Sequence, residues 1–585
     1  MQETNDILIS DYKQDYAGNN ALAKDLIFMG GRQTYSLNGE WHYAIDQYDT
    51  CLRQKWFLEQ YFDKDGRSLP VDFSFQDWPT ISLPCSVNTE KPELFWYEGP
   101  LVFTRTFSWD MQENMGKKVF LRIGAANYFS YIFLNGKYIC KHEGGSTPFM
   151  WDVTEYLEKE NRILIVSDNT RNHLFVPTEN TDWFNYSGVY RDIELVALPT
   201  EYLKDLKVNL VPHSDFSQIR IAAETSADSG IVTVEIPELQ IATSMEIQNG
   251  KGEIVVEARP NLWSPETPIL YDVTATFGQD KVVDRVGFRE ISVEGRDILL
   301  NSKKLFLRGV SVHEDSQFTG KALRDEERLT IIRTAKELGA NYLRLAHYPH
   351  HENMAKLCDE QGILLWEEIP VYWAIAFDNP ATYNNARNQL EELMCRDFNR
   401  ASVIIWSVGN ENLDSDDRFR FMGNLADFAH QYDNTRMVSA ACLVDGETLS
   451  IKDRLAEKLD IIGVNEYIGW YSPNFEELPQ LMNNSNPTKP VIISEFGADA
   501  TPGLHGSVDD KGTEECQEAI YRKQIEVIRQ IPYIKGITPW ILFDFRCPRR
   551  TAAIQGYYNR KGLVSSDRTY YKPAFSVLQS FYREF

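Results

Sequence analysis

Paired cysteines are missing from this 585-residue chain. Its eight, Cys51, Cys85, Cys140, Cys358, Cys395, Cys442, Cys516 and Cys547, are scattered with no C-x-x-C pair. That spacing argues against a zinc site and fits a compartment that keeps thiols reduced. A basic leader is missing too. The opening Met-Gln-Glu-Thr-Asn-Asp has neither a positively charged region nor an apolar one. No signal peptide is read there and a cytoplasmic location is expected, although a trimmed secreted form would look the same. No apolar run approaches the length of a membrane span. Positive charge is in deficit, since 60 basic residues against 85 acidic ones give a formal charge of −25. Nucleic acid and anionic membranes are therefore poor partners, and an anionic ligand needs a local basic pocket. There is no short repeat and no low-complexity segment.

What remains is an ordinary globular composition, 43% apolar and 12% aromatic, in a chain long enough for two to four domains. Residues 1–30 read as a partly ordered lead-in. From Tyr35-Ser-Leu-Asn-Gly-Glu-Trp41 to about Ala197, short strand signals alternate with turns, Asn135-Gly136 marking a hairpin. A jelly-roll β-sandwich over residues 1–198 is the expectation. Residues 199–297 are again strand-rich and have the length of one immunoglobulin-like sandwich. After Asp297 strand and helix alternate. Strands are expected at 305–308, 342–345, 363–366, 403–408, 437–441, 461–464, 491–494 and 534–540, with helices between them, as at 326–338 and 352–361. Eight such units predict a (β/α)₈ TIM barrel over residues 298–585, with its site at the C-terminal strand ends.

Two of those ends carry carboxylates. Val403-Ile-Ile-Trp-Ser-Val-Gly-Asn-Glu-Asn412 is a buried strand that breaks at Gly409 and delivers Asn410 and Glu411. Pro490-Val-Ile-Ile-Ser-Glu-Phe-Gly497 repeats the plan and delivers Glu495. A carboxylate straight after a buried strand is expensive unless the site uses it. Either glutamate alone would read as half of a structural ion pair. Together, on the fourth and seventh strands, they are the minimum equipment for retaining glycoside hydrolysis, one proton donor and one nucleophile.

Here the residues meet a known family. Asn341-Tyr-Leu-Arg-Leu-Ala-His-Tyr-Pro349, Cys358-Asp-Glu-Gln-Gly362 and the Gly409-Asn-Glu411 end resemble glycoside hydrolase family 2. The sandwich, immunoglobulin-like and barrel order fits it across nearly the whole chain. That resemblance implies Glu411 as acid/base, Glu495 as nucleophile and Asn410 as a ligand of the sugar 2-hydroxyl. Within the family the resemblance is to β-glucuronidases, because Asn559-Arg-Lys561-Gly562 matches the Asn-x-Lys-Gly motif that grips the sugar carboxylate. A uronate needs such an ammonium and a neutral sugar does not. By the same resemblance Asn465, Tyr467 and Tyr471 flank the nucleophile, His313 and Trp540 contact sugar, and Asp182, from the jelly roll, binds distal hydroxyls. Arg344 is expected to pair with Glu495.

Three departures qualify the match. Gln555 stands where an arginine precedes the motif asparagine by four residues in a well-known member, leaving Arg549, Arg550 or Arg560 as substitutes. The connection after the third strand is short, which predicts an open mouth suited to larger conjugates or oligosaccharide ends. Glu367-Glu-Ile-Pro370 lacks the Glu-x-His of magnesium-dependent relatives, so neither metal nor cofactor is expected. His350 and His351 are read as starting a surface helix. The expectation is a retaining exo-β-glucuronidase acting as a homo-oligomer on small glycosides or oligosaccharide ends. A β-galacturonidase or β-galactosidase is the alternative within the family, and a non-catalytic carbohydrate-binding protein the alternative outside it.

Overall fold

The computed structural model describes residues 15–585 apart from Glu59, Asp63, Lys64, Pro70 and Asp72, so the first fourteen positions of the expected lead-in lie outside the described residues. Two antiparallel sheets open the fold. Thr34–Ser36, Ile193–Leu198, Lys118–Ile123 and Phe149–Asp152 form one. Six strands, among them Gly39–Ile45, Pro100–Ser108 and Glu160–Asp168, form the other. Trp41, Phe103 and Ile132 of the larger sheet meet Leu121, Phe149 and Leu195 of the smaller in one core. Along Glu160–Asp168, Ile163 and Ile165 point into that core, while Leu164 and Val166 point the other way, against Tyr16, Phe57 and Phe133. A strand covered on both faces loses its polar alternation, which is why it reads as a continuous apolar run.

Seven antiparallel strands between Leu203–Leu210 and Asp280–Val286 follow. Their core residues, such as Val232 and Val234 on Ser229–Ile236, alternate with exposed ones as a half-solvated sheet requires. The hydrogen-bonded order is held at its middle by a single pair, Gln248 with Lys251, and the sheet folds there around its core as a sandwich. The turn Leu262-Trp-Ser-Pro-Glu-Thr-Pro268 does more than connect strands. Trp263 is fully buried, donates to the Asp359 carbonyl at 2.8 Å and packs with Tyr342, Ile404 and Ile461 at the foot of the next domain.

That domain is a closed eight-stranded parallel barrel. Its strands are β1 (Leu307–His313), β2 (Tyr342–Ala346), β3 (Leu364–Glu368), β4 (Val403–Asn410), β5 (Met437–Leu443), β6 (Ile462–Asn465), β7 (Val491–Glu495) and β8 (Ile534–Ile537). Six strands lie within two residues of their expected ends. β1 does not, because Lys303–Leu305 belongs to a separate hairpin and the barrel strand starts beyond it, ending at His313. β8 stops at Ile537, leaving Trp540 in the loop that follows.

Gly409 does not break β4 either. The strand runs through it to Asn410, with a register shift against β5 between Ser407 and Asn410. Glycine is needed there for another reason: a Cβ would lie 2.8 Å from the Val371 carbonyl oxygen and 2.6 Å from the Met422 methyl carbon. The bulge turns the chain, and Glu411 sits in the left-handed region at φ 53°, held by its N–H bond to Ala441 O at 2.9 Å.

The jelly roll is clamped over the barrel mouth. Arg191 donates to Glu314 Oε2 at 2.8 Å and to the Pro349 carbonyl at 2.9 Å, just beyond β1 and β2. Tyr186 donates to Asp315 Oδ2 at 2.7 Å. These bonds fix the loop that carries Asp182. They also correct one expectation: His350 is not on a surface but 1% exposed under this interface, its Nε2 against the Ala346 carbonyl. His351 caps Glu352–Gln361, and Glu352 pairs with Arg122 of the jelly roll.

Candidate active site

Glu411 and Glu495 leave β4 and β7 and line the same cavity, of about 350 Å³. Their surroundings differ. Glu495 accepts from Arg344 Nη1 on Oε1 and from the Tyr467 hydroxyl on Oε2, both at 2.7 Å. Arg344, fully buried on β2, spends its other edge on Glu368 Oε1 at 3.0 Å and Asn410 Oδ1 at 2.7 Å. Burial works against the charge on Glu368, but Arg344 and then His347 outweigh it and hold that carboxyl down to about 2. A buried guanidinium is stable only among such partners.

Glu411 has no cation of its own among the described residues. Its Oε2 accepts from Trp373 Nε1 at 2.7 Å. Burial, and next the charge of Glu495, push its pKa up to about 7, against the pull of Trp373, Asn465 and Arg344. One carboxyl is thus ready to carry a proton near neutral pH, and the other sits against a fixed positive charge. That division of labour is what acid/base chemistry at a glycosidic bond needs.

Most other expected site residues converge on this cavity. Asn465, Tyr467, Tyr471, Trp540, Asp182, Asn559 and Lys561 all line it. Lys561 is 1% exposed, with Nζ 3.3 Å from the Tyr471 hydroxyl, 3.4 Å from Asp499 Oδ1 and 5.3–5.6 Å from the rings of Tyr467, Trp470 and Tyr471. Asn559 Oδ1 accepts the Lys561 N–H at 3.2 Å, and its Nδ2 lies 3.4 Å from Asp182 Oδ2. Tyr471 stands at the mouth, 61% exposed, while Trp470 is mostly core against Ala498 and Ile520.

Two expected residues lie one layer deeper. Asn410 is buried behind the wall, its oxygen taken by Arg344 and by Asn465 Nδ2 at 3.1 Å, and its Nδ2 without a partner among the described residues. His313 meets the Tyr348 hydroxyl through Nδ1 at 3.0 Å beside Trp540 and Phe545, and its Nε2 is likewise unpartnered among the described residues. Burial holds its pKa far below the ordinary histidine value. Buried polar atoms left open cost about 1–3 kcal/mol each unless a ligand completes them.

Sequence reasoning missed Trp373, Glu368, Glu466 and Asp499. Asp499 could have been suspected as a charge in the loop four residues after Glu495. Trp373 carried no signal, because its bond to Glu411 joins two different loops. Glu466 also lines the cavity; burial raises its pKa to about 7, and its Oε2 accepts from Ile468 N at 2.9 Å and Gln524 Nε2 at 3.2 Å.

Known proteins match the chain, domain by domain, over nearly its whole length. The family description "Glycosyl hydrolases family 2, TIM barrel domain" matches residues 291–585, its sugar binding domain residues 34–199, and a further family 2 domain residues 202–289. A beta-glucuronidase of Paenibacillus borealis is 27% identical, covering 92% of this chain and 95% of its own. The solved beta-glucuronidase of an uncultured Clostridium sp. superposes with TM-score 0.83 at 26% identity, over 95% of this chain and 98% of that one. A beta-galacturonidase of Eisenbergiella tayi, solved bound to galacturonate, superposes with TM-score 0.81 at 25% identity, over 96% and 99%.

Proposed function

We propose, because the chain belongs to glycosyl hydrolase family 2, that it removes terminal β-linked glucuronic acid by a retaining double displacement. The observation that carries this reading is one cavity lined by Glu411, Glu495 and the buried ammonium of Lys561. Glu495, steadied by Arg344 and Tyr467, attacks the anomeric carbon. As that bond forms the glycosidic bond breaks, and Glu411 passes its proton to the leaving oxygen.

The second half follows from the same electrostatics. Once Glu495 is an ester its negative charge is gone, and with it one of the two influences that raised the pKa of Glu411. Glu411 then ionises more readily, at the step where it must take a proton from water. The amide nitrogen of Asn410, unpartnered among the described residues, would have to be uncovered by a shift of the wall to reach the sugar 2-hydroxyl, whose contact strengthens as the ring becomes oxocarbenium-like. Asn559 and Lys561 receive the carboxylate, and a neutral sugar would leave that ammonium with Asp499 as its one anionic partner among the described residues.

The likeness to a galacturonidase keeps a second uronide in view, since a carboxylate clamp does not distinguish the C4 epimers. Nitrophenyl β-glucuronide, β-galacturonide and β-galactoside assayed side by side decide the matter. We expect the glucuronide to be turned over fastest, and activity to collapse in Glu495→Ala and Lys561→Ala. A Lys561→Ala enzyme as active as the parent would remove the uronate claim, and faster galactoside turnover would replace it.

A further inference from the structure

Lys561 alone is a poor reader of a carboxylate, because its charge is already faced by Asp499, itself buried. A second cation lines the same cavity. The Arg550 side chain is 23% exposed, and its Nη2 donates to Asp182 Oδ2 at 2.6 Å. Its Nε is buried without a partner among the described residues. Asp182 Oδ2 is also the atom 3.4 Å from Asn559 Nδ2, so one carboxylate holds Arg550 and the motif asparagine side by side. Lys561 Nζ lies 3.3 Å from the Tyr471 hydroxyl, and Tyr471 lines the same cavity as Arg550.

Neither Arg549 nor Arg560 lines the cavity. Arg549 lies exposed over the Trp373 ring at 4.6 Å. Arg560 donates to the Gln555 carbonyl at 3.1 Å and to Asp544 at 3.5 Å. Gln555 does not line the cavity; its Nε2 donates to Asp499 Oδ2 at 2.5 Å and so steadies the partner of Lys561. A guanidinium with one edge anchored and another donor open can take a carboxylate with defined geometry, which an ammonium cannot.

We propose that Arg550 is the guanidinium arm of the uronate clamp, and that Asp182 is a positioning residue acting through Arg550. The proposal rests on the uronidase reading, and its test separates the two. The enzyme and its Arg550→Gln, Arg550→Lys, Asp182→Asn and Asp182→Asn/Arg550→Gln variants are assayed on nitrophenyl β-glucuronide and β-glucoside. Losing one charge-assisted pair should lower the glucuronide-to-glucoside ratio of kcat/KM by about 10²-fold in Arg550→Gln. Arg550→Lys keeps the charge but loses the fork, and should lose about tenfold; it carries the test should Arg550→Gln not fold. Asp182→Asn should act mainly on the glucuronide KM, and adding it to Arg550→Gln should lower the ratio less than about threefold further, because coupled residues are not additive.

A ratio within twofold of the parent in either Arg550 variant overturns the clamp. Independent, multiplying losses in the double variant overturn the positioning role. A parent enzyme with no preference for the glucuronide would instead overturn the uronidase reading beneath both.

Discussion

Of the influences on Glu411, the Trp373 hydrogen bond can be removed without touching Glu495 or its partner Arg344. An N–H donated to a carboxylate stabilises the ionised form more than the acid, so it lowers the pKa. Taking it away should therefore raise the pKa of Glu411 above about 7. Because the first step needs Glu411 protonated, kcat/KM falls as pH climbs through that value, and this limb belongs to the free enzyme. In Trp373→Phe the alkaline limb should move upward by about 0.5–1 unit, the equivalent of one modest hydrogen bond. A pH profile of kcat/KM for both enzymes checks it. A limb that stays put, or moves downward, would mean that some other group controls the alkaline side.

At the scale of elements, β4 and the loops beside it decide where that carboxyl sits. Gly409 is tightly boxed by the Val371 carbonyl and Met422, so Gly409→Ala must shift the end of the strand that carries Asn410 and Glu411. A loss of about 1–3 kcal/mol in stability is expected from the overpacking, together with a marked fall in kcat. Gly423, inside helix Asp416–Tyr432, is the control: a Cβ there would meet only Lys458 side-chain carbons at 3.7 and 3.8 Å. Gly423→Ala should leave kcat near the parent value and gain about 0.4–1 kcal/mol, since the unfolded chain loses freedom. Thermal unfolding and steady-state assays of the two variants read both effects.

The same elements show what a sequence can and cannot disclose. β4 and β7 were legible because a short β-branched run ending in Glu has few other readings. β1 was misplaced because residues 303–313 hold a hairpin strand and a barrel strand with no turn signal between them, and periodicity alone cannot divide such a run. Glu411, Glu495 and Lys561 could be found from their places at strand ends and in a motif. The Arg344 and Tyr467 partners of Glu495 were legible too, but Trp373 meets Glu411 and Asp499 meets Lys561 only across separate loops, and Asp182 meets Arg550 across two domains.

For the whole molecule, two domains build the site and the third supports the barrel from below. The jelly roll brings Asp182 to the mouth and the immunoglobulin-like sandwich wedges Trp263 beneath the barrel floor, while the barrel supplies the carboxyl pair. Charge is the property that belongs to the molecule as a whole. With a formal charge of −25, the long-range field opposes an anionic substrate. The local cations do not offset that field at a distance, because Asp499 faces Lys561 and Asp182 faces Arg550, leaving two near-neutral pairs that act at contact range. Raising ionic strength from 0.01 to 0.15 M shortens the screening length from about 30 to about 8 Å. It should thus weaken the repulsion more than the clamp. For the glucuronide, kcat/KM should rise about twofold over that range, with little change for the neutral glucoside. A fall with added salt would show that the cations at the mouth act on the substrate before it arrives, and that the acidic surface is too far from its path to matter.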